Sequence, residues 1–193
     1  MMLHKHNSAG FTIKTIHCNG ECCPIMDEVK DELNVDMNHA NPLDHVPEAE
    51  RNNRVIKECV RAAYHHLPFK KLPQIMIRYL AMVQTNQLNY FPVKGGISEY
   101  YSPRTALGGT PLDYKKHCVT PFGTCVQANH ESHPRNNNTA RMIDCIYLRP
   151  CNNIQGGHEL MDLNSGHVTM HGSKITETPI VSVVMQATEA IAE

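Results

Sequence analysis

The chain has 193 residues, and its 18 Lys/Arg against 19 Asp/Glu leave a formal net charge of −1. That length holds one domain or two small ones around a sizeable core, and near-neutrality argues against a protein whose whole surface attracts polyanions. No stretch approaches the ~20 apolar residues of a membrane span. Eight cysteines without a CxxC pair or a signal peptide read as reduced cytoplasmic or nuclear thiols, not a disulfide scaffold.

The charge is unevenly placed. Residues 1–40 carry three Lys/Arg against six Asp/Glu, residues 67–118 seven against two, and residues 119–193 four against seven. A basic middle between acidic ends fits a surface facing nucleic acid, and fits a solvated face almost as well.

Taken in order, Phe11 to Cys18 (FTIKTIHC) mixes β-branched and aromatic residues with polar ones and predicts a short strand. It runs into Asn19-Gly20, a turn signal. From Pro24 to Asn34, Ile25, Met26, Val29 and Leu33 recur at helical spacing. Val35 to Pro47, with two prolines and several Asn and His, reads as a loop. Glu50 to His66 is the most regular segment. At ~100° per residue, Val55, Ile56, Cys59, Val60, Ala62 and Ala63 fall on one side, and Glu50, Arg54, Lys57 and Arg61 share the other. Pro47 suits the first turn, where its missing N–H is not needed, and Glu48 and Glu50 then sit at the positive end of the helix dipole. Leu67-Pro68 ends this helix.

A second, broadly apolar helix spans Pro73 to Asn89, with Met76 and Met82 as core filler. Residues 97–113 read as loop with one helical turn, because Pro103, Gly108, Gly109 and Pro111 interrupt anything longer. Tyr79, Tyr90, Phe91, Tyr100 and Tyr101 are expected in core or hairpin packing. From Cys118 the period changes. Gly123 to Asn129, Asp144 to Leu148, His158 to Leu163 and His167 to Thr178 read as strands, separated by Asn- and Gly-rich turns. Val181 to Glu193 predicts a terminal helix. The composition shift divides the chain near residue 120, into an α/β part and a small antiparallel β part. His130 with His133, or His17 with Cys18 and Cys22, are conceivable zinc ligands, although no second ligand pair stands at finger-like spacing.

Several of these stretches together resemble the integrase region of copia-type retrotransposon polyproteins. HVPEAERNNRVIKE (45–58) is similar to the family segment in which a glutamate in an Ala-Glu-Arg context opens a long helix. SPRTALGGTPLDYKKHC (102–118) followed by PFGTCV (121–126) resembles the stretch leading into a Phe-Gly-x-x-Val strand. CIYLRP (145–150), GGHELMDLNSGHVTM (156–170) and KITETP (174–179) resemble the closing strands, of which the middle pair is joined by a short Asp-containing turn.

The resemblance implies an α/β (α+β) chain: a partial RNase-H-like core over 1–118, a small antiparallel β-barrel-like domain over 119–180 and a terminal helix or tail over 181–193. Intact family members hold two Mg²⁺ ions on an Asp, Asp, Glu set, since phosphoryl transfer is served by hard cations on the attacking and leaving oxygens. Carried over by position, Glu50 is the family glutamate. The second aspartate follows an Ile-His-x-Asp context, which here reads Ile16-His17-Cys18-Asn19. Asn19 is neutral and presents one carbonyl oxygen where the family has a carboxylate. The first aspartate belongs on an earlier strand, for which the chain starts too late, and the zinc module that precedes the core in the family is missing. Asp36, Asp44 and Glu48 are the other acidic residues nearby, with no spacing argument that any substitutes. The implied reading is a degenerate, catalytically silent polynucleotidyl transferase fragment, with no cofactor of its own and Glu50 at most a weak metal ligand. Arg51, Arg54, Lys57 and Arg61, extended by Lys70 and Lys71, would follow DNA phosphates without reading sequence. Self-association through an unpaired strand edge is the alternative role.

Overall fold

The computed structural model describes residues 2–18, 24–33, 35–39, 46–109, 111–129, 140–151, 155–172 and 174–192. The chain forms two compact units, each discontinuous in sequence. One is Met1–Glu58 with Asn89–Pro111, the other Cys59–Leu88 with Leu112–Glu193.

The first unit begins with α1 (Met2–Ser8) and β1 (Thr15–Cys18). α2 (Met26–Leu33) carries Asp27 and Glu28 in its first turn and connects to β2 (Asp36–His39). β1 and β2 pair in parallel, Thr15 with Asp36 through Cys18 with His39. A parallel pair needs a crossover between its strands, and α2 occupies that connection. The loop expected over 35–47 is therefore a strand at its start. DMNH has poor strand propensity, but backbone pairing with β1 outweighs it. The half-buried positions Ile16, Cys18 and Met37 share one face, and neither strand has a fully buried residue.

α3 (Pro47–His66) starts on Pro47 as its composition predicts, with Glu48 and Glu50 in the first turn and His65 and His66 in the last. Residues 47–58 belong to the first unit and 59–66 to the second. α5 (Pro103–Gly108) also lies in the first unit. Its prolines and glycines cap it where they were expected to interrupt it. Pro103 occupies the first turn, Ser102 Oγ accepts from Thr105 N–H at 3.2 Å, and Gly109 closes the end in the left-handed region at φ 66°.

The second unit joins the end of α3, α4 (Gln74–Leu88), α6 (Tyr114–His117) and α7 (Ser182–Ala190) to a five-stranded antiparallel sheet. Its strands are β3 (Cys125–Asn129), β4 (Met142–Pro150), β5 (His158–Asp162), β6 (Val168–His171) and β7 (Ile175–Glu177). Their order across the sheet is β6-β5-β4-β3-β7. The single strand expected over 167–178 is thus two, on opposite edges. Four residue steps from His171 to Ile175 reach at most about 14 Å, whereas the edges of a flat five-stranded sheet stand about 19 Å apart. His171 stands level with Pro150 and Ile175 level with Ile143, at opposite ends of β4, so the sheet must curl diagonally on itself. It stays open, with β6 and β7 as edges and no closed barrel among the described residues.

Burial agrees with the curl. Cys125, Ile146, Leu148 and Met161 face Phe69, Leu72, Met76 and Leu80, forming the main core against the helices. Val126, Ala128, Cys145, Tyr147 and Leu160 form a second cluster on the opposite face, built from sheet residues alone. Within α4 the apolar pattern is only partly core. Met76 is fully buried and Leu80 nearly so, but Met82 is 43% exposed, which corrects its expected role as filler. Among the described residues no helix is long and apolar enough to cross a membrane.

Candidate functional site

Every cation singled out in the sequence is exposed: Arg51, Arg54 and Lys57 on α3 in the first unit, and in the second Arg61 on α3 with Lys70 and Lys71 beyond its end. Glu50 is exposed in the first turn, its N–H donating to Val46 O at 3.0 Å. The covered side of α3 is narrower than the sequence suggests. Ile56, Cys59, Val60, Ala63 and Tyr64 are half-buried, while Val55 and Ala62 are exposed. At ~100° per residue those two sit roughly 100° or more away from Ile56, the middle of the covered stripe, and the half-buried residues lie within about 80° of it.

The cationic row is partly neutralised. Arg54 Nε lies 3.0 Å from Glu58 Oε1, one turn along the helix, with both side chains largely in water. Such a pair contributes at most a few tenths of a kcal/mol to stability, but it sets a carboxylate beside Arg54 that competes with any anion for it. At Lys70 the backbone N–H donates to Glu189 Oε1 at 2.8 Å, which brings a carboxylate from α7 beside the Lys70-Lys71 pair.

The remaining candidates are dispersed. Asn19, Cys22, Asp44, His130 and His133 lie outside the described residues. Asp36 is exposed on β2 and Glu48 exposed in the first turn of α3. On β1, His17 Nδ1 is 3.4 Å from the Asn38 amide and the Cys18 thiol 3.9 Å from Asn38 O, so β2 engages both. Among the described residues no three His, Cys, Asp or Glu converge to hold a metal ion. A Mg²⁺ pair requires several converging anionic oxygens, and the described candidates, Glu50, Glu48 and Asp36, form no such group.

A polar cluster in the second unit escaped the sequence reading. Arg149 on β4 grips Glu159 on β5 with two bonds, Nε to Oε2 at 3.0 Å and a terminal nitrogen to Oε1 at 2.9 Å. The guanidinium lies over the Tyr79 ring at 5.3 Å, and the Tyr79 hydroxyl donates to Glu159. A β-bulge between Tyr147 and Arg149 creates this arrangement. Strict alternation would put Arg149 on the face of Tyr147. The extra residue, Leu148, turns Arg149 toward the face of Leu148, Met161 and α4. Burial raises the Glu159 carboxyl, but the bonds from Arg149 and Tyr79 outweigh it and hold the group below the usual carboxylate range. Burial, reinforced by Glu159, pushes the Tyr79 phenol up to about 12. Burial also raises the nearby Cys151 thiol. The cluster is a set of fixed charges locking helix to sheet, and it contains no activated nucleophile. Its trace in the sequence is a cation near the end of β4 and an anion near the start of β5, each beside an apolar run.

Two further features bear on the resemblance. The β5–β6 turn is organised by Asp162, whose Oδ1 accepts from Asn164 N–H at 3.0 Å and whose Oδ2 accepts from Ser165 Oγ at 2.7 Å. Phe91, Tyr100 and Tyr101, expected in packing, are 57%, 87% and 63% exposed. No protein-family model matches this chain, and no curated protein matches it either.

Proposed function

We propose that the chain is a catalytically silent integrase-like fragment of the copia retrotransposon type that retains non-specific affinity for DNA. The observation carrying this reading is the order of elements in the first unit: parallel strand, crossover helix, parallel strand, then a long helix with Glu50 in its first turn. The integrase resemblance asks for a strand just before the second aspartate, where Asn19 stands, and for a glutamate at the head of a long helix, and β1 and Glu50 of α3 fit those two places. The Asp162 turn and the curled sheet support the same reading for the rest of the chain, as the family's β-barrel-like domain. Silence follows from chemistry. Asparagine supplies one neutral oxygen, and Glu50 with Asn19 offers too little negative charge to gather two dications.

DNA affinity would come from the exposed cations. Were four of the six to meet phosphates, the logarithm of the association constant would fall with that of salt at a slope of about −3.6. Electrophoretic shift of generic duplex DNA at rising salt tests this, with Lys57→Ala/Arg61→Ala expected to flatten the slope by about 2. Absence of a salt-dependent shift refutes the binding. A Glu50-dependent strand-transfer product in Mg²⁺ or Mn²⁺ refutes the silence.

One observation favours a second reading, a non-catalytic scaffold. Parallel strands are ordinarily covered on both faces, yet β1 and β2 have no fully buried residue and no third strand among the described residues. Such edges accept added strands.

A further inference from the structure

Between α4 and α5 the chain makes a closed excursion within the first unit. The Arg104 N–H donates to Asn89 O at 3.1 Å, and the Arg104 guanidinium sits over the Tyr90 ring at 5.5 Å. The residues between them form a loop whose ends meet, the Ω-loop arrangement. Its interior is ordered locally. Gly96 N–H bonds Val93 O at 2.9 Å around Gly95, which takes φ 76°. Ser98 Oγ accepts from the N–H groups of both Tyr100 and Tyr101, at 3.1 and 3.0 Å. Ω-loops ordinarily pack their own side chains inward. This one presents Phe91, Val93, Ile97, Tyr100 and Tyr101 to solvent, each more than half exposed and Tyr100 at 87%. A contiguous stretch of exposed aromatic and aliphatic side chains on a pinned backbone has the composition of an interface core, and being ordered beforehand it avoids the entropy cost of ordering on contact.

The charges indicate what covers it. Residues 90–103 contain one cation, Lys94, and one anion, Glu99, both exposed and neither ion-paired among the described residues. With no net charge the loop has nothing to offer a run of phosphates. A twofold contact brings residue i of one copy against residue j of the other, and j against i. Lys94 and Glu99 flank Ile97, three residues before it and two after. A contact centred near Ile97 would set Lys94 of each copy against Glu99 of the other, with Ile97 between the charged pairs and Tyr100 just outside them. We propose that this loop is the homodimerisation surface of the chain, a second copy of the same loop being its occupant. The proposal goes beyond the DNA reading and does not rest on it.

Sedimentation velocity of the full chain from about 1 to 100 μM, at low salt where rim charges are least screened, reads this directly. A concentration-dependent dimer is expected. Ile97→Asp and Tyr100→Ala should each raise its dissociation constant about tenfold or more. Lys94→Glu alone or Glu99→Lys alone should weaken it several-fold, and the two together should restore it. All four positions are exposed, so circular dichroism melts should superimpose on the wild type and separate lost contact from lost fold. A monomer at every concentration overturns the proposal, as does a dimer indifferent to Ile97→Asp. Failure of the double charge reversal to rescue overturns the pairing. A monomeric wild type that binds a single-stranded oligonucleotide, and loses it on Tyr100→Ala, reassigns the loop to base stacking and likewise overturns the proposal.

Discussion

Removing either member of the Arg149–Glu159 pair should damage the second unit far more than removing both. Glu159→Leu leaves a guanidinium whose side chain is only 23% exposed facing the Tyr79 hydroxyl and an apolar strand. Arg149→Met leaves a carboxylate, 12% exposed, with Tyr79 as its remaining donor. Breaking a buried pair costs about 3–5 kcal/mol because the survivor is uncompensated. Arg149 keeps part of its surface in water, so the lower end applies, ~3 kcal/mol for each single change. The double variant Arg149→Met/Glu159→Leu buries no orphan charge and should lie within about 1.5 kcal/mol of wild type. The two effects are then non-additive by about 4.5 kcal/mol or more. The chain has no Trp, so urea unfolding is best followed by circular dichroism. With a denaturant slope of about 2 kcal/mol per molar, each single change moves the midpoint down by about 1.5 M. Hydrogen exchange at β4 and β5 amides assigns the transition to this unit. A double variant as unstable as the sum of the singles would refute the coupling, and with it the role given to the bulge.

The same cluster sets two pH limits. Glu159 is held below its ordinary range, so its contribution is present above that range and is lost as pH falls through the lowered value; acid unfolding should flatten in the double variant. Tyr79 is raised from 10.0 to about 12, so its contribution is full below pH 10 and lost as pH rises toward 12; Tyr79→Phe should flatten that alkaline limb. Burial and the neighbouring Asp162 and Asp144 push the Cys145 thiol up to about 12. Iodoacetamide followed by mass spectrometry should therefore label exposed Cys118 well before Cys125 or Cys145. Met76→Ala should cost about 2–5 kcal/mol and Met82→Ala within about 0.5, because the first is fully buried and the second 43% exposed. Gly123→Ala should destabilise by roughly 1–2 kcal/mol, since it combines φ 85° with a Cβ placed 2.5 Å from Leu67 Cδ2.

Where hydrophobic period and punctuation agree, the chain is readable from its residues alone. α3 and α4 lie within about three residues of their expected ends, and the strands around 125–129, 142–150 and 158–162 arise where alternation and turn residues place them. The failures have distinct causes. β2 is polar and exists through its partner β1, which no local window contains. Pro103 and Gly109 read in sequence as obstacles because capping and breaking use the same residue types. The separation of β6 from β7 follows from β3, more than forty residues away, accepting β7 as its second neighbour. For the candidate site, spacing alone identifies the cationic row of α3, and the Arg54–Glu58 pairing that weakens it is an i, i+4 relation equally visible there. The Arg149–Glu159 contact is different in kind. It depends on a one-residue bulge, and strand alternation taken at face value places the two side chains on opposite faces.

The return of β7 to β3 ties residues 51 positions apart, Val126 with Glu177, into neighbouring rungs. Closing so long a span carries an entropic toll before any contact repays it, which makes the sheet a slow, high-contact-order element. During synthesis β3 therefore waits with one flank bare until residues 175–177 have left the ribosome. A nascent chain halted at residue 172 would display a naked β3 edge, a ready substrate for chaperones or for premature pairing with another copy.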